Sequence, residues 1–256
     1  MYADSHVRRP GISRYHAAVN IKPLKPTDDF LQQAQSLNIA FDDGDLDRLG
    51  MFLALLLETN RQFNLTRITD EKAVWQRHIL DSLTLLPYLT RGNVNTACDV
   101  GSGAGVPGIP LAICLPDISF TLVEATGKKA AFIKNAAEEL GLQNVVIIND
   151  RAEVLGQKRE YRETFDVVIA RALGRLNVAA ELVVPLIRVG GIALLIKGAK
   201  ADEELKEARK ALGILGASHL ETSPTPTGRI VILDKKRATP RLYPRRPGEP
   251  KRVPLK

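Results

Sequence analysis

Asp99-Val100-Gly101-Ser102-Gly103-Ala104-Gly105 sets three glycines at alternate positions directly behind a short apolar run and an acid. Without a Cβ, glycine lets a ligand approach the backbone and takes up positive φ at no steric cost. A loop of this kind, between a strand and the helix it opens toward, is where a nucleotide-like cofactor sits in an open α/β sheet. Glu124 closes the next apolar run, about 20 residues on, where a carboxylate can accept hydrogen bonds from both hydroxyls of a ribose. The dinucleotide fingerprint GxGxxG would need glycine at 106, where this chain has Val106; the order here is GxGxG. That spacing favours S-adenosylmethionine, which has no pyrophosphate to cradle, over the rival reading of an NAD-linked oxidoreductase. Behind the third apolar run comes Asp150-Arg151-Ala152-Glu153. Glu153 there either reads the edge of an adenine or is a solvated loop charge.

The acceptor end of such a site lies at the fourth strand, which here finishes Ile169-Ala170-Arg171-Ala172. It has neither an Asn-Pro-Pro-Tyr motif, which serves exocyclic amines, nor a Pro-Cys, which attacks pyrimidines. An acceptor that needs neither device already carries an in-plane lone pair, and guanine N7 is such an atom. Its alkylation loses no proton, so alignment at near-attack distance would do most of the work. Arg171 and Lys197 are the candidate catalytic residues. Arg171 either holds an anionic group or stacks on a base, or else forms a structural ion pair. Lys197, beside Gly198, either meets RNA phosphate or is simply solvated. His78 and Asp81, three apart on one helical face, make a poor metal site by themselves, and a His–Asp contact bracing the helix against the sheet is expected. No metal is expected. Cys98 and Cys114 lie in apolar surroundings without a CxxC and are read as reduced thiols.

These groups need a frame. Leu46, Leu49, Leu53, Leu56 and Phe63 keep one helical stripe, and Trp75, Ile79, Leu83 and Leu86 keep another, with Asp70 placed to cap it. From 94 onward short β-rich runs at 94–100, 119–124, 144–149, 165–170 and 191–197 alternate with helical stretches near 127–140, 176–188 and 201–213, the signature of a parallel sheet buried on both faces. Runs at 218–222 and 229–235, close in sequence, suit a terminal antiparallel hairpin. The expected fold is therefore α/β and Rossmann-like, of the class I S-adenosylmethionine methyltransferases: a mostly parallel twisted sheet with N-terminal helices and an antiparallel ending.

Charge is distributed unevenly along the 256 residues. The total is +7, with +8 in 235–256 and +4 in 1–27, so the stretch between them carries −5. The division expected is a basic mobile arm over 1–27, a methyltransferase domain over 28–235 and a basic Pro/Arg-rich tail over 236–256. Basic ends on a mildly acidic body suit an enzyme whose extensions touch phosphate, although charged tails also serve solubility alone. No apolar run reaches the roughly 20 residues that span a bilayer, and no signal-like apolar stretch follows the N-terminus. A cytoplasmic monomer is expected.

Several strings together carry a family resemblance: NLTRI (64–68), RHILDSL (77–83), DVGSGAGVPGIPLAI (99–113), LGLQNV (140–145), FDVVIARAL (165–173), KG (197–198) and YPRRPGEPKRVPL (243–255). Over about 45–255 the chain resembles the bacterial small-subunit rRNA guanine-N7 methyltransferases, also called glucose-inhibited division protein B. GxGxG is common to many methyltransferases; VPGIPLAI and RHILDSL are far more specific. The resemblance implies methyl transfer from S-adenosylmethionine to N7 of a guanine in the decoding-region loop of 16S rRNA, either as RNA or within the small subunit. It also implies cofactor contacts from Gly101, Val106, Glu124, Ala125, Thr126, Ala152, Glu153 and Arg171. Two positions depart from the pattern. Val106 replaces a larger Leu or Phe, and Glu124-Ala125 stands where some members have Asp-Ser. Residues 1–27 match nothing in the family.

Overall fold

The computed structural model describes residues 21–256; the first twenty residues of the expected N-terminal arm lie outside them. Residues 21–27 run along the first long helix, and Leu24 N–H donates to the Gly50 carbonyl at 3.1 Å. The approach is so close that a Cβ at position 50 would lie 2.2 Å from the Leu24 oxygen. Helix α1 (Asp28–Ser36) starts on Thr27, whose hydroxyl accepts from Phe30 N, and α2 (Asp45–Asn60) turns Leu49, Phe52, Leu53 and Leu56 inward. Of the two expected stripes, Leu49, Leu53, Leu56, Trp75, Ile79 and Leu83 are buried, while Leu46, Phe63 and Leu86 are half-buried and Phe63 lies past the end of α2. Asp70 caps α3 (Glu71–Val74) by accepting from Ala73 N.

Beyond α3 the helix widens into a π-helical turn, Trp75–Leu80, before α4 (Asp81–Leu83). Asp81 N–H reaches back five residues to the Gln76 carbonyl. The Ser82 and Thr84 hydroxyls donate to the carbonyls of His78 and Asp81 at 2.5 and 2.6 Å, supplying partners where the helical ladder is disturbed. Trp75, fully buried, packs on Phe30 with ring centroids 4.7 Å apart. A short helix, α5 (Leu86–Leu89), leads to the sheet.

Seven strands form one sheet in the order β3-β2-β1-β4-β5-β7-β6. They are β1 (Thr96–Val100), β2 (Ser119–Val123), β3 (Val145–Ile148), β4 (Phe165–Arg171), β5 (Ile187–Lys197), β6 (Ala217–Thr225) and β7 (Gly228–Lys235). The first five are parallel; β7 runs antiparallel between β5 and β6. The terminal hairpin thus folds back, and its second strand, not its first, joins the parallel body. Helices α6 (Gly108–Cys114), α7 (Gly127–Glu139), α8 (Ala152–Leu155), α9 (Leu176–Val183) and α10 (Ala201–Leu215) complete the crossovers, and α11 (Glu249–Arg252) closes the chain. Two apolar cores result. One joins α2, the π-helical segment, α6 and α7 to one face of the sheet; the other joins α9 and α10 to the opposite face. Both cysteines are free thiols. Among the described residues no helix is long and apolar enough to cross a membrane.

The helix expected over 176–188 ends early. Pro185 sits in a 3₁₀ turn, Val184–Leu186, and β5 begins at Ile187, which pairs with Phe165 before a register shift. Asp166 holds this corner by accepting from Asn95 N, Thr96 N and the Thr96 hydroxyl, and from Arg188 Nε at 2.6 Å. Burial works against its ionisation, but those donors prevail and lower its pKa to about 2.

Candidate cofactor and acceptor site

The C-terminal ends of β1, β2 and β4 meet at the glycine loop. Gly101, Gly103 and Gly105 have φ of +72°, +60° and +82°, so each occupies a conformation in which a Cβ is strained. Gly101 and Ser102 donate to the Val123 carbonyl at 2.8 and 3.1 Å. Glu124, 7% exposed, completes the clasp: Oε2 accepts from Gly103 N at 2.9 Å and Oε1 from Thr126 N at 2.7 Å. Each oxygen keeps a second lone pair, which is what a ribose diol requires. From the end of β3, Asn149 Nδ2 donates to the Glu124 carbonyl at 2.8 Å. Ala125 and Thr126 are exposed on the rim, while Val106 is buried in the wall.

Arg171, the last residue of β4, is enclosed by the π-helical segment. Nη1 donates to the Arg77 carbonyl at 2.6 Å and lies 3.8 Å from Asp81 Oδ2; Nη2 is 3.3 Å from His78 Nδ1. Guanidinium is only a donor, so Nδ1 of His78 must be the acceptor and its proton sits on Nε2, donating to the Thr66 hydroxyl at 2.9 Å. Burial, then the nearby Arg171 charge, lowers the His78 pKa to about 4. The expected His78–Asp81 contact is replaced by an arrangement in which both face Arg171. Immediately after Arg171 the chain takes φ +57° at Ala172. This turns Leu173 over the glycine loop, where its Cδ1 would lie 2.7 Å from any Cβ at position 101.

Asp99, at the foot of the loop, is wholly buried. Oδ2 accepts from Gly108 N at 3.0 Å and Oδ1 has no hydrogen-bond partner. Burial raises its pKa to about 7, against the opposing pull of the Gly108 N–H. A glycine cradle, a carboxylate with spare lone pairs and a buried polar atom awaiting a donor fit a nucleoside carrying an amino-acid end.

Two candidates occupy other positions. Lys197 is engaged, pairing with Glu204 at 2.6 Å and donating to the Gly174 carbonyl at 2.5 Å, with its side chain 10% exposed. Glu204 also accepts from Leu176 N, so the lysine ties the loop after β4 to α9 and α10 and is not presented to phosphate. Glu153 is buried rather than solvated, and its Oε1 accepts from Gly248 N at 2.7 Å. The acid beside Ala152 therefore joins the predicted adenine wall to the C-terminal segment.

That segment is docked throughout. Arg162 donates to the carbonyls of Gly156, Thr239, Pro240 and Tyr243. Gln157 donates to Pro244 O, and Asn177 holds Leu255 O. Arg245 forms a bidentate pair with Glu181, which is fully buried, at 2.8 and 2.6 Å. The prolines of the tail lower the cost of ordering, but the body supplies the order. Gly101, Val106, Glu124, Ala125, Thr126 and Arg171 lie at or just beyond the C-terminal ends of β1, β2 and β4. Asp99, Asn149 and Leu173 are additions. Asn149 follows a strand just as Glu124 does, a signal that the sequence offers, whereas the position of Leu173 depends on one residue's left-handed φ.

Comparison with known proteins places this geometry in a lineage. The family model for rRNA small subunit methyltransferase G matches residues 45–230. The enzyme of that name from Sorangium cellulosum is 46% identical over 225 residues, 88% of this chain and 94% of its own. The one from Staphylococcus aureus is 42% identical over 88% of this chain and 96% of its own. A Corynebacterium glutamicum protein of known structure, 17% identical, superposes with a TM-score of 0.50 over 82% of this chain and 97% of its own, a likeness of fold. The dinucleotide reading falls away, the mostly parallel sheet with its antiparallel edge is Rossmann-like, and the chain belongs to the rRNA small subunit methyltransferase G family.

Proposed function

We propose that this protein methylates N7 of a guanine in the decoding-region loop of 16S rRNA, within the S-adenosylmethionine-dependent rRNA methylation that its family performs. The observation that carries the choice of acceptor is the state of His78. It is the histidine beside β4, and histidine's ordinary pKa suits general-base work. Both of its ring nitrogens are engaged and it is held neutral. An acceptor that must shed a proton would call on such a base; N7 sheds none. S-adenosylmethionine supplies a methyl group on a positively charged sulfur. When bound, it would offer that methyl carbon to the N7 lone pair, the carbon–sulfur electrons returning to sulfur, and the residues of the chain would have only to align the two.

The chain's own residues position the reactants. Glu124 holds the ribose, the glycine loop admits the cofactor backbone, Val106 and Ala152 wall it, and Arg171 stands at the end where methyl donor and base meet. Holding the two at near-attack distance supplies several kcal/mol of the barrier reduction, on the order of 7–11 for ideal alignment. Methyl transfer from labelled S-adenosylmethionine to small-subunit rRNA, followed by chain cleavage at N7-methylguanine, is the test. One cleavage site in the decoding-region loop is expected. Methylation without N7-specific cleavage would replace the acceptor atom while leaving the cofactor assignment intact.

A further inference from the structure

Asp81 is a buried acid that accepts no hydrogen bond. Its side chain is 8% exposed, Oδ1 is buried without a partner, and Oδ2 has only Arg171 Nη1 at 3.8 Å, beyond hydrogen-bond reach. Buried carboxylates are nearly always satisfied, because taking one out of water without donors is expensive. Its neighbours are satisfied: Arg171 donates to Arg77 O and faces His78, His78 spans Arg171 and Thr66, and Ser82 donates to His78 O. Among the described residues the other buried side-chain atoms without a partner are Asp99 Oδ1, at the foot of the glycine loop, and Trp75 Nε1; Asp81 alone of these accepts no hydrogen bond on either carboxylate oxygen, which points to a donor that arrives with a ligand.

The place of the acid in the fold says which donor. Helix α4 packs on α6, the helix that leaves the glycine loop, and Arg171 lies within electrostatic reach of both Asp81 and Asp99. Strand order sets the rest. β1 lies between β2 and β4, so a cofactor whose ribose sat on Glu124 at the end of β2 would have to cross β1 for its amino-acid end to reach Arg171 at the end of β4. That end is a zwitterion, with an ammonium and a carboxylate on one carbon. Asp81 and Arg171 present one negative and one positive group side by side, the complementary pattern. The Asp χ2 torsion is soft and roughly two-fold, so either oxygen can turn to a ligand.

We propose that Asp81 receives the α-ammonium group of S-adenosylmethionine while Arg171 faces the α-carboxylate. The inference rests on the cofactor assignment and is independent of which base accepts the methyl group. A charge-assisted hydrogen bond of this kind is worth about 10- to 100-fold in affinity.

The test is calorimetric binding to the full chain of S-adenosylhomocysteine and of its desamino analogue, in which hydrogen replaces the α-amino group. Wild type should bind the analogue about 10- to 100-fold more weakly. Asp81→Asn should weaken S-adenosylhomocysteine by a similar factor and change the analogue by less than about twofold, since the lost contact does not exist there. A merely structural role for Asp81 would weaken both ligands alike, and that result would overturn the proposal, as would an Asn variant that binds both as wild type does. If Asp81→Asn does not fold, Asp81→Ser is put through the same comparison. Equal affinity of wild type for the two ligands overturns the proposal without any variant. Failure of wild type to bind S-adenosylhomocysteine at all would instead bring down the cofactor assignment beneath it.

Discussion

His78 is kept neutral by burial and by the Arg171 charge beside it, with a folded pKa of about 4 against an ordinary value of 6.5. The unfolded chain therefore binds the extra proton first, and stability contributed by this group is full above pH 6.5 and is lost as pH falls toward 4. The difference corresponds to about 3 kcal/mol on the linkage scale. Asp99 runs in the opposite sense: its pKa is raised to about 7, so its share is present below pH 4 and is lost as pH rises toward 7. Urea denaturation of wild type and His78→Gln at pH 7.5 and 5.0 separates the two, since the variant should lose less stability on acidification than wild type does. Equal losses would refute the assignment of His78 as a buried neutral imidazole. At Glu124 both oxygens accept backbone N–H groups, and an amide nitrogen in place of either oxygen would confront a donor. Glu124→Gln should weaken S-adenosylmethionine about 10- to 100-fold by calorimetry; unchanged affinity would remove Glu124 from the ribose. Much at this scale was legible beforehand. Glycine spacing and an acid one strand later carry their chemistry in their residue types. The unmet need of Asp81 does not, because it depends on which donors the fold withholds.

The helix that delivers His78 and Asp81 shows what periodicity can and cannot report. Trp75, Ile79, Leu83 and Leu86 mark one helical face, and the first three are helical and buried, but a six-residue π turn lies among them and a turn at Thr84-Leu85 puts Leu86 in the separate α5. Likewise 176–188 reads as one helix until Pro185 and the pairing of Ile187 with Phe165 draw its end into β5. Tertiary pairing overrode local pattern there. The C-terminal segment is the larger surprise: its basic composition speaks of solvent and phosphate, yet Arg245 is spent on Glu181. Arg245→Ala would strand a wholly buried carboxylate, at a cost of about 3–5 kcal/mol. In a chain of this size that is a drop in melting temperature of roughly 10 °C. The double variant Glu181→Leu, Arg245→Met should recover much of the loss, because it removes both charges and keeps the volume. Thermal unfolding of the three proteins decides. A double variant no better than the single would mean that the pair's worth lies in the tail's hydrogen bonds to the body.

Across the whole molecule, docking of the tail converts a run of charge into a fixed surface. Of its cations, Arg245 faces inward, while Arg246, Lys251 and Arg252 remain exposed. The Gly248 bond to Glu153 sets this segment next to Ala152 in the predicted adenine wall. The body between the basic ends carries −5, so cationic surface fixed beside the site draws a polyanion to that segment and not to the molecule at large. Contacts of this type follow counterion release, each phosphate neutralised adding about 0.7–0.9 to the slope of log affinity against log salt. Replacing Arg246, Lys251 and Arg252 together with Gln should therefore raise the dissociation constant for small-subunit rRNA and flatten that slope by about 2. Affinity for S-adenosylhomocysteine should stay as in wild type, because none of the three touches the cofactor's strand ends. Filter binding over a salt series, with calorimetry on the same preparations, measures both. A slope that does not move would show that these charges only keep the protein in solution, and the RNA would have to be met elsewhere on the surface. A flatter slope with cofactor binding intact would establish that the tail, anchored by one buried arginine, uses its other cations on the substrate.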